Sequence, residues 1–317
     1  MHEQDRFRLV DFLTARQTAE RLPYPELADE IRAVALAEPG EVHAPPRLAL
    51  PLPGGGVLLV MPASDAEIAI TKLVTVHPGN SRLGLPTIQG EVVVMEAATG
   101  VRLGVLDGAT VTARRTAALS MLAARELAAI PDGPLLIIGA GIQGRSHLEA
   151  FREGLGVSKV FIHSRTPASA ESLVDHARTL GMEARIVAAS EEALGETPLI
   201  VTATTSRTPV LPDEDVRDDA FVAAVGSFEP EAAELPAELV ARSAIVVDTL
   251  EGAREEAGDL IQAHEAGLFD WEPTPLSDAL RWMQRPRAPV VFESVGCALW
   301  DLAAARTAFP RETRSIR

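Results

Sequence analysis

The chain has 317 residues, 47% of them hydrophobic, with 29 Lys+Arg against 45 Asp+Glu and a formal charge of −16. That acidity argues against nucleic acid as a partner, because binding it needs clustered positive charge, and no run of about 20 apolar residues offers a membrane span. One cysteine, Cys297, allows no intrachain disulfide, and Met1 to Gln17, peppered with Asp, Glu and Arg, does not read as a secretory signal, so a reducing cytoplasm is the expected compartment.

Helices are expected over about Asp11 to Leu22 and Glu26 to Ala37. Short β-rich runs follow at Arg47 to Leu52, Val57 to Met61, Glu67 to Val76, Glu91 to Glu96 and Val101 to Leu106. Turn signals separate them, among them Pro53-Gly54-Gly55-Gly56, His77-Pro78-Gly79-Asn80 and Thr99-Gly100. Strands at this spacing predict a mostly antiparallel sheet. A helix is expected from about Ala113 to Ala129, ending at Pro131-Asp132-Gly133.

An α/β alternation comes next. Strands are predicted at Leu135 to Ile138, Lys159 to His163, Ala184 to Val187, Leu199 to Ala203, Ala220 to Val225 and Ala244 to Val247, with helices over Gln143 to Gly154 and Ala168 to Leu180. Near-continuous Val/Ile/Leu strands alternating with helices read as a parallel sheet buried on both faces, a Rossmann-type doubly wound dinucleotide fold. A strand (Val290 to Glu293) and a helix (Gly296 to Thr307) close the chain. The fold class is therefore α/β, a doubly wound parallel sheet plus a smaller, mainly antiparallel α+β domain. The expected division is 1–112, joined by about 303–317, and 113–302.

Gly139-Ala140-Gly141-Ile142-Gln143-Gly144 fits G-x-G-x-x-G. The pattern alone is weak, but here it follows an apolar strand directly and opens a helix. The first glycine permits the tight turn, the second lets a pyrophosphate approach the backbone, and the third lets helix and strand pack closely. The helix N-terminus offers free N–H groups and partial positive charge to phosphates. At the end of the next strand, NAD-binding folds usually carry an acid for the ribose 2′-OH. This chain has His163-Ser164-Arg165-Thr166 instead. Arg165 suits a 2′-phosphate, with Ser164 and Thr166 hydrogen-bonding its oxygens, which favours NADPH over NADH.

Of the 29 basic residues two are lysines, Lys72 and Lys159. On period 2, Lys72 shares a face with Ile68, Ile70, Val74 and Val76. A lysine there either meets an anion or snorkels to water from an edge. Arg115, in Thr112-Ala-Arg-Arg-Thr-Ala-Ala118, is expected at a helix start, where N–H groups and a guanidinium hold an anion together. Arg114 reads as surface charge. The histidines show no metal-ligand spacing, and His147, Trp271, Trp282 and Trp300 read as packing residues.

Five segments occur in order: Lys72-Leu-Val-Thr-Val-His-Pro-Gly-Asn80, Gly84-Leu-Pro-Thr-Ile-Gln-Gly90, Arg115-Thr-Ala-Ala, Gly139-Ala-Gly-Ile-Gln-Gly-Arg-Ser-His147 and Phe292-Glu-Ser-Val-Gly-Cys-Ala-Leu-Trp-Asp-Leu302. Together they resemble the ornithine cyclodeaminase/mu-crystallin family, from about Arg47 to Ala305. The resemblance implies a two-domain fold, a homodimer formed through the first domain, and a site in the cleft between domains. It implies substrate-carboxylate binding by Arg47, Lys72 and Arg115, with Glu256 matching a family acid near the substrate. Its nicotinamide-cofactor contacts match Thr87, Arg115, Thr116, the loop Gly139, Gly141, Ile142, Gln143 and Gly144, and the region of Ser294. Ser164, Arg165 and Thr166 resemble the mu-crystallin-type pattern that holds NADPH.

One departure carries weight. Cyclodeaminases have a catalytic aspartate after a Val-Gly-x pattern, where this chain has Val225-Gly226-Ser227-Phe228. Expelling ammonia and closing a ring benefits from a carboxylate that handles amine protons, and phenylalanine offers none. The Gly-Ser-Phe-Glu-Pro segment resembles the Δ1-pyrroline-2-carboxylate reductase branch. The leading expectation is an NADPH-dependent ketimine reductase of cyclic imino acids, giving L-proline or L-pipecolate, with Lys72 as the catalytic candidate. A cyclodeaminase or alanine dehydrogenase-like NAD enzyme is the second reading. A mu-crystallin-like NADPH-dependent ligand-binding protein is the third.

Overall fold

The computed structural model describes residues 11–311. The parts of the expected first domain at 1–10 and 312–317, with most of the Met1 to Gln17 segment, lie outside the described residues. The chain divides into two compact units, Met1–Arg115 with Cys297–Arg317, and Thr116–Gly296.

The first unit opens with α1 (Ala15–Glu20) and α2 (Tyr24–Ala35). α1 is shorter than the sequence predicts because a capping box fixes its start: Thr14 caps the Gln17 N–H and the Gln17 side chain returns to the Thr14 backbone. The sheet is β1 (Leu48–Leu52), β2 (Gly56–Ser64), β3 (Ile68–Val76), β4 (Ile88–Glu96) and β5 (Arg102–Asp107), antiparallel in that order. Register sorts its faces. The row Met61–Lys72–Val92–Leu106 is buried throughout. The row through Leu48, Val60 and Leu73 lies on the opposite face, with Leu48 and Leu73 exposed.

The helix expected from Ala113 starts five residues earlier. α3 (Gly108–Leu127) is capped by Asp107, whose Oδ1 accepts from the Thr110 N–H at 2.8 Å and the Thr110 hydroxyl at 2.6 Å. The β-branched Thr110-Val111-Thr112 disguises this first turn. Arg115 is therefore two turns inside the helix, and the free N–H groups of a helix start do not assist it. The C-terminal helix (Ala298–Ala308) packs on β2, β3 and α2. The second domain was expected to run to residue 302, which would cut this helix. The chain instead returns to the first unit at Cys297, because the apolar helix buries against that unit's sheet. Arg114 also departs from its surface reading: its guanidinium lies 3.8 Å over the Tyr24 ring and its Nε donates to the Leu22 carbonyl at 2.7 Å.

The second unit contains β6 (Leu135–Ile138), α4 (Ile142–Leu155), β7 (Lys159–His163), α5 (Pro167–Thr179), β8 (Glu183–Ile186), α6 (Glu191–Leu194) and β9 (Leu199–Thr202). It continues with β10 (Phe221–Ala224), α7 (Ala237–Arg242), β11 (Ala244–Val247), α8 (Leu250–Glu256), α9 (Gly258–Glu265), β12 (Thr274–Pro275), α10 (Leu276–Ala279) and β13 (Val290–Glu293). The sheet runs β12-β11-β13-β10-β9-β6-β7-β8, with parallel pairings. Every residue of β6, β9, β10 and β13 is buried, as a sheet covered on both faces requires. Each such Leu, Ile or Phe side chain contributes about 1.5–3 kcal/mol. The strand order reverses between β6 and β9, the place where doubly wound sheets open a crevice at their carboxyl ends. β13 slots between β10 and β11, a long-range pairing that local pattern cannot reveal.

Candidate functional site

In the second unit the glycine turn has the three geometries a dinucleotide needs. Gly139 sits at φ +108°, and a side chain there would run into the Ala203 carbonyl, so the turn demands glycine. A Cβ on Gly141 would meet nothing within 4 Å, which leaves open space beside the backbone. A Cβ on Gly144 would strike the Gly139 carbonyl oxygen, so α4 lies close on the turn. Gly141 caps α4 without a side-chain hydrogen bond, leaving first-turn N–H groups directed at any anion above it. Ile142 is exposed on this turn.

A cavity of about 340 Å³ lies above the strand reversal, lined by Gly139 and Gly141, by Ser164, Arg165 and Thr166 after β7, and by Ala203 and Thr204 after β9. These residues fit a nicotinamide dinucleotide: open space beside Gly141 has room for a pyrophosphate, and Ser164 to Thr166 line the cavity one strand away. Gln143 belongs to α4, where its carbonyl pairs with His147 Nδ1 at 2.8 Å. His147 Nε2 lies 3.0 Å from Ser120 Oγ, and burial pushes the imidazole down to about 4, against the pull of the Gln143 carbonyl. It is a neutral packing residue.

Ser294 follows β13 and donates to Asp248 Oδ2 at 2.9 Å, an oxygen that also accepts the Gly296 N–H at 2.7 Å. Asp248 thus fixes the Ser294–Gly296 turn. Glu256 closes α8 and is half-buried. Thr116 is buried on α3. Phe228 is 53% exposed.

Sequence reading missed a set of buried acids in this unit. Glu234 accepts the Thr204 and Gly226 N–H groups at 2.6 and 2.8 Å, tying together the loops after β9 and β10. Asp259 accepts the Glu234 and Leu235 N–H groups at 2.7 and 2.6 Å. Both carboxyl oxygens of Glu293 are buried without a hydrogen-bond partner. Burial pushes Glu293 well above the usual carboxylate range, and Asp259, Glu234 and Asp248 add to the rise. Burial likewise pushes Asp259 up to about 7, with the Glu234 charge adding, against the Leu235 and Glu234 N–H bonds. Glu234 is raised by burial against its own N–H donors. A polar residue inside Val-Val-Phe-Glu was the available signal for Glu293.

In the first unit, Lys72 is 3% exposed on the apolar sheet face. Of the two options open in the sequence, the anion is the one realised. Lys72 Nζ donates to Asp301 Oδ1 at 3.0 Å and to Thr112 Oγ1 at 3.1 Å, and it stands 3.0 Å from Asp301 Oδ2. Arg115, 6% exposed, places Nε 3.6 Å from Asp301 Oδ1, beyond hydrogen-bonding reach. Arg47, just before β1, acts on Lys72 by its charge. Burial pushes the Lys72 ammonium below its ordinary value, Arg115 and Arg47 push the same way, and Asp301 opposes them. The structure therefore brings Arg47, Lys72 and Arg115 into one electrostatic group and adds Asp301. That residue is an acid inside the otherwise apolar Ala298-Leu-Trp-Asp-Leu302. Thr87 stands immediately before β4, its carbonyl accepting the His77 N–H at 2.8 Å.

The sequence model of the ornithine cyclodeaminase/mu-crystallin family matches residues 10–314. Delta(1)-pyrroline-2-carboxylate reductase 1 of Burkholderia multivorans is 43% identical over 298 residues, 93% of each chain. The Delta(1)-pyrroline-2-carboxylate/Delta(1)-piperideine-2-carboxylate reductase of Azospirillum brasilense is 41% identical over 94% of this chain and 95% of its own. The Thermococcus litoralis Delta(1)-pyrroline-2-carboxylate reductase, solved with NADH and L-proline, superposes with a TM-score of 0.86 at 28% identity, covering 95% of this chain and 97% of its own. This chain belongs to the ornithine cyclodeaminase/mu-crystallin family.

Proposed function

We propose that this chain is an NAD(P)H-dependent oxidoreductase that reduces cyclic imino acids: Δ1-pyrroline-2-carboxylate to L-proline, Δ1-piperideine-2-carboxylate to L-pipecolate, or both. The observation that carries the reading is the buried group of Lys72 and Arg115, two cations gathered around the Asp301 carboxylate. A second carboxylate, the substrate's, balances that charge, and charge-assisted hydrogen bonds from Lys72 and Arg115, with Arg47, fix its orientation. When bound, the reduced nicotinamide supplies the hydride that converts C=N to CH–N. The nitrogen takes a proton, for which the Lys72 ammonium is the donor. The protein supplies binding, orientation and electrostatics.

Two further observations support the branch. Phe228 stands where cyclodeaminases carry an aspartate, so the chain lacks that amine-handling carboxylate. Arg165, with Ser164 and Thr166 at the cavity rim, favours NADPH over NADH by offering a 2′-phosphate a fork of donors. Leu48, Leu50 and Leu73, exposed on the outer face of the antiparallel sheet, support a homodimer through the first unit.

The test is to follow NADPH and NADH absorbance in parallel with both cyclic imines and with ornithine plus NAD+. Oxidation of NADPH by at least one imine is expected. If neither imine oxidises either cofactor, the reading fails.

A further inference from the structure

We propose that Asp301 is a positioning residue for this reaction: its carboxylate fixes Lys72 and Arg115 in place and keeps Lys72 in its ammonium form. The proposal rests on the imine-reductase reading for its kinetic consequence, and on the first unit's geometry alone for its structural one.

The surroundings of Lys72 are nearly all hostile to charge. In register it lies between Met61 on β2 and Val92 on β4. From α3 it faces Thr112, a neutral hydroxyl at 3.1 Å, and the Arg115 guanidinium. From the segment before β1 it feels Arg47. From the C-terminal helix it meets Asp301, which touches Nζ with both carboxylate oxygens at 3.0 Å. Burial and the two arginines weigh against the charged form of Lys72, and Asp301, an opposing charge at contact distance, favours it. A neutral amine would neither hold a substrate carboxylate nor give up a proton.

The reverse dependence also holds. Asp301 is fully buried, and a carboxylate there is tolerable because two cations face it. Asp301 lies on the C-terminal helix, Lys72 on β3 and Arg115 on α3, so one carboxylate aligns three elements. Lys72 retains a third ammonium proton beyond those given to Asp301 and Thr112. That donor and the Arg115 guanidinium are the groups offered to a ligand.

The chain's two lysines make the test direct. Full-length protein labelled with 13Cε,15Nζ-lysine gives two lysine signals, and Lys159, paired with Glu196 at 3.1 Å, is the internal reference. In the wild type Lys72 is expected to be an ammonium at pH 7, with slowly exchanging protons. In Asp301→Asn its titration is expected to move down by at least about one pH unit, a tenfold loss of proton affinity, while Lys159 stays unchanged. The alkaline limb of kcat/KM should move with Lys72, and Asp301→Glu should restore much of it. A role confined to stability would lower the melting temperature and leave the Lys72 titration in place. Should Asp301→Asn not fold, the wild-type spectrum still decides, because a neutral Lys72 amine at pH 7 overturns the proposal. So does an unmoved Lys72 titration in Asp301→Asn. The spectra need no substrate, so a failure of the imine-reductase reading would leave this result standing, and the reverse.

Discussion

The two units bury charge in opposite ways. In the first, Lys72 and Arg115 surround Asp301, so opposite charges meet on an apolar sheet face. In the second, Glu234, Asp248, Asp259 and Glu293 lie buried within one another's fields, and like charges meet. Pairing preserves ionised groups that can recognise a charged ligand. Burial first, and the neighbouring acids after it, raise Asp259 and Glu293, and the carboxyls of this unit serve as struts. Asp259 holds the Glu234–Leu235 backbone, and Asp248 holds the Ser294–Gly296 turn. A buried carboxylate therefore pairs with cations in one unit, and buried carboxyls brace backbone turns in the other.

The largest effect that would break this contrast comes from Lys72→Met. It should abolish turnover and leave NADPH binding, which we propose for the second unit's cavity, nearly intact by fluorescence titration. Leaving Asp301 with Arg115 alone should also cost about 3–5 kcal/mol in urea unfolding, part of it recovered by adding Asp301→Asn. Near-normal turnover would remove Lys72 from the mechanism.

Asp259→Asn probes the other side. Asp259 releases its proton at about 7 in the folded chain against a reference of 3.8. Between those values the folded state holds the extra proton, so rising pH erodes stability. Asparagine keeps an acceptor for the two N–H groups and carries no charge. Its stability relative to wild type should therefore climb from about pH 4 to about pH 7, by on the order of 3 kcal/mol. A pH-independent difference would mean that Asp259 is ionised throughout. His147, down at about 4, contributes the opposite slope in both proteins and cancels in the comparison.

Arg165→Ala should lower the NADPH/NADH ratio of kcat/KM about 10- to 100-fold, the worth of one or two charge-assisted bonds. An unchanged ratio would move cofactor choice elsewhere. The smallest stability effect is expected at Gly141→Ala. Open space there keeps unfolding within about 0.5 kcal/mol of wild type, yet the added methyl meets the pyrophosphate and raises the cofactor Kd. Gly144→Ala, which strikes the Gly139 carbonyl, should destabilise the fold as well.

What the sequence disclosed follows from the range of the forces involved. β6, β7, β11 and β13 fall on the residues their apolar runs predict, because a strand buried on both faces writes itself as a local pattern. The glycine turn was legible because its three constraints act within six residues. The start of α3 was not, since Asp107 caps it behind a β-branched first turn. The insertion of β13 and the return of the C-terminal helix at Cys297 depend on pairings across the chain. The same limit applies to the site. Lys72 announced itself as a cation on an apolar face, and Arg115 through the family resemblance, but their partner lies 229 residues from Lys72 in sequence. Asp301 was visible as an acid in an apolar helix, without any local sign of what it meets.

The most direct test of the central claim is isotopic. NADPH carrying deuterium at the transferable C4 position, incubated with the enzyme and Δ1-pyrroline-2-carboxylate, should give L-proline with one deuterium at C2, read by mass spectrometry. Consumption of the imine without deuterium at C2, or no consumption at all, would contradict hydride transfer to the imine carbon.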